Sequence, residues 1–426
     1  MGLKLDLAVL LVVALMPAGL AGGEEGGANP AFQGDFRFLW EELSQKYPRE
    51  LFEAKGIDWA AVKAEFEPRV AAARTDEEFV KLCIEVVGRL KDGHAYVECK
   101  SIPVEKLYPV DDRINPGAGL VECADGSIAI LRVYPNSPAE KAGLKPGMVV
   151  KTVDGEDAKA YAEKVAKARW DRGGVSSERA ARHAAVWTLL SGLKGSSVKL
   201  GVEVPGAGLR AAVLERSFGQ LLRCPKLGDY PPPDGLKSQG RCSFALVQGR
   251  GGKYGYLYLL KFDGRDEGKA DIEKILADFK KEKVRGLVVD VRGNGGGGVP
   301  AVEWPADLRT VLIIDPGTFS AGEGFAAYFG WTKETPQGHP GLQIIGQGTA
   351  GSSSEKAAAT VPSGLFTFHY ACRGRKGVVN CGPGGLIEFY GVKPHEEVKP
   401  DVKDLRKGQD TCLLRAVAIL DGKKGK

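Results

Sequence analysis

The chain has 426 residues, with 59 Lys and Arg against 54 Asp and Glu, 43% hydrophobic and 27% charged side chains, an ordinary globular balance with room for two or three domains. The net charge of +5 is spread along the sequence and forms no stripe that could neutralise a row of phosphates, so nucleic acid is not an expected partner. Disordered, collagen-like and multi-span membrane classes are excluded, and the 58 glycines sit in short clusters between apolar runs, where they mark turns and close backbone approaches.

Residues 1–21 read as a signal peptide: Lys4, the uncharged apolar run Leu7 to Met16, then Pro17 and the small residues Ala18, Gly19 and Ala21, with cleavage expected after Ala21. The run is about half the roughly 20 residues of a permanent span, so no stable membrane span is expected. The mature chain is expected to be exported, either periplasmic or secreted. Eight cysteines in an exported chain allow about a hundred pairings. Cys372 with Cys381 and Cys224 with Cys242 are suggested pairs, and buried free thiols are the alternative. No Cys-x-x-Cys spacing occurs, and neither a metal nor an organic cofactor is expected.

Residues 30–105 are expected to form a small helical N-terminal domain, with Phe36, Leu39, Trp40 and Leu43 on one face and Phe79, Leu82, Cys83 and Val86 on another. It ends in Asp92-Gly93-His94-Ala95-Tyr96, where Asp-Gly marks a tight turn. Short strand-like runs follow over 106–218, around Ser137-Pro138-Ala139-Glu140-Lys141-Ala142-Gly143, in which Ser137 and Glu140 make a capping box and Gly143 a stop. This stretch resembles a PDZ domain of the bacterial protease type. The resemblance implies a peptide-binding module in which the loop Gly117-Ala118-Gly119-Leu120 holds a C-terminal carboxylate. After a Pro-rich linker at Tyr230 to Gly235, residues 236–424 alternate strand and helix. Strands are expected at Tyr256 to Phe262, Gly286 to Val291 and Thr310 to Ile314, with a helix at Lys269 to Glu282.

Three segments of this last region carry the chemistry: Asp290-Val291-Arg292-Gly293-Asn294-Gly295-Gly296-Gly297, Gly317-Thr318-Phe319-Ser320-Ala321-Gly322-Glu323 and Gly346-Gln347-Gly348-Thr349-Ala350-Gly351. Their order and spacing resemble the tail-specific (carboxy-terminal processing) serine peptidases and their tricorn-core relatives. That resemblance implies an α/β fold class: a crotonase-like βαβ catalytic core, a PDZ-like module and a helical N-terminal domain. It also implies a serine endopeptidase acting on polypeptide substrates through an acyl-enzyme. Ser320, placed where a strand gives way to a helix, reads as the nucleophile, and the N–H groups of Ala321 and of Gly295 or Gly296 read as oxyanion donors. Gly293-x-Gly295-x-x-Gly298 also fits a dinucleotide loop, but it runs into Val299-Pro300 instead of opening a helix, so nucleotide binding is not expected.

The serine needs a base. The tail-specific branch supplies a lysine where this chain has Ser352, and Lys356 is the nearest substitute, an alternative base. The tricorn-like branch uses a histidine and a glutamate, matched here by His94 in Asp92-Gly93-His94 and by Glu388 in Gly385-Leu386-Ile387-Glu388. On that carry-over His94 moves the proton, while Glu388 fixes its tautomer directly or through an intermediary; the serine that precedes the histidine in that branch is Gly93 here. A histidine base predicts activity rising through roughly pH 6 to 7. Glu323 is explained by its place in a first helical turn. The rival reading is a catalytically inactive peptide- or lipid-binding carrier on the same scaffold. The oligomeric state is not legible in the sequence.

Overall fold

In the computed structural model, which describes residues 29–102, 114–219, 230–262, 264, 266–330, 338–374, 381–382 and 385–422, four helices come first: α1 (Pro30–Lys46), α2 (Arg49–Ala54), α3 (Trp59–Ala72) and α4 (Asp76–Gly88). The expected leader and Cys224 lie outside the described residues. Asn29 and Thr75 cap α1 and α4, Thr75 with a full capping box to Glu78. β1 (Tyr96–Glu98) follows. A second unit comprises β2 (Ala118–Glu122), β3 (Ile128–Val133), α5 (Pro138–Lys141), β4 (Val149–Val153), β5 (Glu156–Asp157), α6 (Ala158–Arg172), α7 (Glu178–Trp187), β6 (Ser197–Val204) and β7 (Gly208–Glu215). Its antiparallel sheet runs β2-β3-β4-β6-β7, with β5 paired to β4. The helix over Pro138–Lys141 stands where its capping residues predict, Ser137 Oγ accepting the Glu140 N–H at 3.1 Å. The pair α6 and α7 was not anticipated, because α6 buries only Ala158, Ala162 and Ala166 and so writes no large apolar stripe.

The third unit contains β8 (Lys237–Gln239), β9 (Cys242–Gln248), β10 (Lys253–Leu259), α8 (Asp266–Lys281), β11 (Leu287–Asp290), β12 (Thr310–Ile314), α9 (Ala321–Ala327), β13 (Gln343–Gly346), β14 (Glu355–Thr360), β15 (Thr367–Cys372), β16 (Cys381–Gly382), β17 (Gly385–Leu386), β18 (Glu396–Glu397), α10 (Val402–Arg406) and α11 (Thr411–Leu420). Seven strands form one sheet in the order β18-β13-β12-β11-β10-β9-β8. Pairing is parallel from β10 to β18 and antiparallel at β8 and β9. Each face of this sheet is covered: Leu257, Val289 and Leu312 pack on Ile272, Ile275 and Phe325, while Val288, Val311 and Ile313 pack on Leu413, Ala416 and Ile419. Successive strand residues point to opposite faces, which is why these strands read as unbroken apolar runs.

The N-terminal helices do not close a core of their own. They bury Phe36, Leu39, Phe66 and Phe79 against Phe366, Phe368 and Tyr370 of the β14–β15 hairpin, and β1 extends that hairpin with Tyr96 opposite His369. The start of the chain is therefore docked on a hairpin that follows the third glycine motif. Cys83, Cys99, Cys123, Cys242, Cys372 and Cys412 carry free thiols; the side chain of Cys381 is not among those described. Among the described residues, no helix is long and apolar enough to cross a membrane.

The first motif is anchored by charge. Arg292 is 2% exposed and lies between Asp290, with Nη2 2.5 Å from Oδ2, and Asp410, which it meets through both terminal nitrogens. The Tyr230 ring lies 3.7 Å from the guanidinium and so ties the linker to this triad. Removing the cation leaves two buried carboxylates uncompensated, so Arg292→Ala is expected to lower the unfolding free energy by about 3–5 kcal/mol. Urea denaturation followed by circular dichroism measures this, and a loss below about 1 kcal/mol would show that Arg292 does not hold the motif.

Candidate active site

The loops after β11, β12 and β13 carry the three motifs, side by side at the carboxyl ends of adjacent parallel strands, where open α/β sheets place their sites. Asp315 joins the first two: its Oδ1 accepts the N–H groups of Gly293 at 2.8 Å and Gly317 at 3.0 Å. Ser320 follows with φ 54° and ψ −126°, a conformation that non-glycine residues rarely adopt. It is pinned on both sides, Phe319 N–H donating to Asn294 O and Ser320 N–H to Ser352 O, each at 2.8 Å.

Ser320 Oγ lies 3.2 Å from His94 Nε2. The imidazole, 4% exposed, rests against the Phe319 ring with centroids 4.9 Å apart. Its backbone N–H donates to Asp92 Oδ1 at 2.7 Å, and Asp92 Oδ2 accepts from Tyr47 Oη at 3.0 Å. Burial lowers the His94 pKa; Asp92 opposes the shift, and the ammonium groups of Lys356 and Lys55 add to it. Lys356 is itself exposed on β14, its Nζ 5.7 Å from the Tyr96 ring centre, and it has no hydrogen bond to Ser320. His369 stacks on Tyr96 and faces Glu98, away from the serine.

Among the three candidate oxyanion donors, the Gly296 N–H is already engaged, donating to Asn294 Oδ1 at 2.8 Å. The N–H groups of Ala321 and Gly295 have no acceptor among the described residues. Gly296 has a steric part instead. A Cβ there would stand 2.8 Å from Ala321 N and 2.9 Å from Ser320 Cβ, so its absence leaves the space before the Ala321 N–H clear.

Glu388 is fully buried. Its Oε2 accepts the N–H groups of Ser353 and Ser354 at 2.8 and 2.9 Å, its Oε1 accepts the Ser176 hydroxyl at 2.9 Å, and Lys55 Nζ lies 3.7 Å away. Burial, reinforced by the Asp92 charge, pushes its pKa up to about 7. It makes no hydrogen bond to His94, whose Nδ1 is buried without a partner among the described residues. Glu323 likewise exceeds its expected role. It is buried, accepts from Thr349 Oγ1 at 2.5 Å and from the N–H groups of Gly351 and Ser352 at 2.6 Å, and is pushed up to about 8 by burial. It therefore buttresses the third motif, beyond any first-turn dipole effect.

The contacts of five residues here escaped the sequence reading: Lys55, Tyr47, Asp92, Ser176 and Ser352, the last read only as the place of a lysine. Lys55, a fully buried side chain just after α2, also donates to Tyr47 Oη at 2.9 Å and lies 3.8 Å from Asp92. Asp92 was legible only as a turn residue. Ser176 comes from the loop between α6 and α7, which the next residues clamp to the core: Ser177 Oγ donates to Ala350 O at 2.7 Å and Arg179 Nε to Thr349 O at 2.7 Å. In the loop expected to hold a carboxylate, the N–H groups of Gly117 and Ala118 are occupied by Asn115 Oδ1 at 2.7 and 2.9 Å, and Gly119 and Leu120 are buried in β2. Beside them a groove of about 470 Å³, lined by Leu120, Val121, Arg182, His183 and Val186, reaches Pro316 and Gln347 of the core. Among the described residues no acidic, histidine or cysteine cluster suited to a metal occurs.

Residues 29–88 match the model of the tricorn protease C1 domain, and residues 253–309 that of peptidase family S41; neither segment reaches His94 or Ser320. The chain is 30% identical over 179 residues to the carboxy-terminal processing protease CtpB of Bacillus subtilis, covering 42% of this chain and 29% of that one. It is 26% identical over 406 residues to putative tricorn protease homolog 2 of Streptomyces coelicolor, covering 85% and 30%. The chain thus spans under a third of the length of these two relatives. Mature CPAF shares the fold, with a TM-score of 0.66 at 14% identity over 93% of this chain and 98% of that one. A segment that matches the tricorn-type C1 model thus precedes one that matches peptidase family S41 in this chain.

Proposed function

We propose that the chain is a serine endopeptidase that cuts polypeptides through an acyl-enzyme on Ser320. The contact of 3.2 Å between Ser320 Oγ and His94 Nε2 carries this reading, since a hydroxyl becomes a competent nucleophile only beside a base. Ser320 Oγ attacks the scissile carbonyl carbon as its proton passes to Nε2. The carbonyl oxygen, now an anion, turns to the N–H groups of Ala321 and Gly295. His94 then returns the proton to the leaving amine, and water, activated by the same imidazole, releases the acyl group. Glu388 stands behind this pair without touching the ring. Lys356, exposed and turned toward Tyr96, acts on His94 only through its charge.

The substrate is a polypeptide whose C-terminal part lies in the groove between β2 and α7, where Arg182 and His183 face it. The leader-like residues 1–21 support an exported site of action, periplasmic or secreted. Against the carrier reading stands the serine–imidazole contact, which binding alone does not require.

A fluorophosphonate probe is expected to label Ser320 in the parent protein, to fail with Ser320→Ala, and to react at least about a thousandfold more slowly with His94→Ala. Absence of labelling in the folded parent would return the carrier reading. Lys356→Ala is expected to keep turnover within a few-fold, and its loss of labelling would make the lysine the base. Because His94 works as the neutral base and burial lowers its pKa, kcat/KM should persist below pH 6.5 and fall only as pH drops through that lowered value. Lys356→Ala should move this limb upward; a limb above pH 7 in the parent would contradict the assignment. Gly296→Ala fills the space before the Ala321 N–H, and a loss of roughly a hundred- to a thousandfold in kcat is expected. Steady-state kinetics within a few-fold of the parent would remove Ala321 from the oxyanion site.

A further inference from the structure

The peptidase reading leaves the Nδ1 atom of His94 without a partner among the described residues, and the role its neighbours take depends on that reading. If Nε2 is to accept from Ser320, the single proton of the neutral imidazole sits on Nδ1, which is buried and bonded to nothing. Once Nε2 takes up the serine proton, that Nδ1–H belongs to a cation and needs an acceptor still more. The charged groups around the ring are Asp92 on its own segment, Lys55 from the end of α2 and Lys356 on β14. The lysines accept nothing, and Asp92, whose oxygens take the His94 backbone N–H and the Tyr47 hydroxyl, makes no bond to Nδ1.

An acceptor stands close by. Ser176 Oγ receives the Gly93 N–H at 2.9 Å and the Ser352 hydroxyl at 2.6 Å, and gives its own proton to Glu388 Oε1 at 2.9 Å. A hydroxyl has one proton and two lone pairs, so with Glu388 ionised Ser176 is saturated and the direction of every proton is fixed. Ser352 Oγ has spent its proton on Ser176 and accepts no hydrogen bond among the described residues, so its lone pairs are open. It lies against the backbone that carries the imidazole: a Cβ on Gly93, the residue before His94, would stand 2.5 Å from it.

We propose that Ser352 and Ser176 are positioning residues for His94, Ser352 Oγ accepting the Nδ1 proton as Ser320 is deprotonated and the two hydroxyls conveying the charge of Glu388 to the ring. The line reads His94 Nδ1–H to Ser352 Oγ–H to Ser176 Oγ–H to Glu388 Oε1. No proton leaves it; each group keeps its own, and only the link from Nδ1 to Ser352 closes as the imidazole becomes a cation. Ser352 sits in the loop whose backbone hydrogen bond already holds Ser320 in place.

The test reads the imidazole directly. In the full chain, NMR titration of the His94 ring should give a lower pKa in Ser352→Ala than in the parent, because the hydrogen bond lost is one that favours the cation. Peptide hydrolysis by Ser352→Ala and by Ser176→Ala should fall roughly 10- to 100-fold in kcat at unchanged KM, the range of a general acid–base contribution. The double variant Gly93→Ser/Ser352→Gly moves the hydroxyl to the other side of the same gap, where the edge of the Phe319 ring, 2.7 Å from the new Cβ, has to shift. It should recover most of the activity that Ser352→Gly loses, which a packing role for Ser352 does not predict. An unchanged His94 titration in Ser352→Ala, or a double variant no better than Ser352→Gly, overturns the proposal. Since the titration needs no substrate, a parent that fails to label with fluorophosphonate sinks the peptidase reading separately.

Discussion

A carboxylate with no exposed surface, Glu388, imposes the main constraint on this molecule. An ionised group taken out of water is tolerated only with donors and a counter-charge. Here they come from three remote places: the N–H groups of Ser353 and Ser354 after the third motif, the hydroxyl of Ser176 between α6 and α7, and the ammonium of Lys55 after α2. Satisfying one side chain thus brings the N-terminal helices, the six-stranded sheet unit and the seven-stranded core to a common point. The arrangement has a pH signature. The folded pKa of Glu388 is raised from 4.5 to about 7, so the stability linked to it is fully present below 4.5 and lost as pH rises through about 7. Lys55 limits that loss and, through Asp92 and Tyr47, also fixes the turn that presents His94.

Backbone strain is the second element and depends on the first. The positive φ of Ser320 costs about 1–3 kcal/mol and survives only where neighbours over-determine it. Three backbone bonds do so, from Phe319 to Asn294, from Ser320 to Ser352 and from Ala350 to Thr318, and they stitch the three motif loops to one another. Glu323 supports the same stitching from behind by holding Gly351 and Ser352. What the strain achieves is exposure: the hydroxyl faces His94 while the next N–H, at Ala321, points into space cleared by Gly296.

Much of the core was legible because its signals are local. Unbroken apolar runs mark β11 and β12, Ile272, Ile275 and Phe279 mark α8, and the Ser137 to Glu140 pair marks a four-residue helix. The placing of Ser320 after a strand, through Pro316 and Gly317, was equally readable. What the sequence hid is non-local. Nothing near Gly173-Gly174-Val175-Ser176 says that its serine meets a glutamate 212 positions later. Lys55 looks like any surface lysine of a helix end, and only the fold removes it from water. Ser352 stands in the sequence as a missing lysine, and only the geometry shows what its hydroxyl touches. The boundary between a helical domain and a catalytic core also dissolves, because Phe366, Phe368 and Tyr370 complete the helices' core from far downstream.

These features combine in the state of the base. Burial and two nearby ammonium groups disfavour the charged imidazole, and Asp92 pulls the other way. A carboxylate bonded directly to the ring would pull its pKa upward more strongly. In the proposed line Glu388 stands two hydroxyls away, which weakens that pull at rest, while hydroxyl dipoles already aligned toward it need little reorganisation when the charge appears. The same distance leaves Glu388 free to be tightly held by backbone donors and Lys55: its oxygens are occupied in fixing three segments, and in the proposed line its influence on the imidazole passes through the one hydroxyl it accepts from.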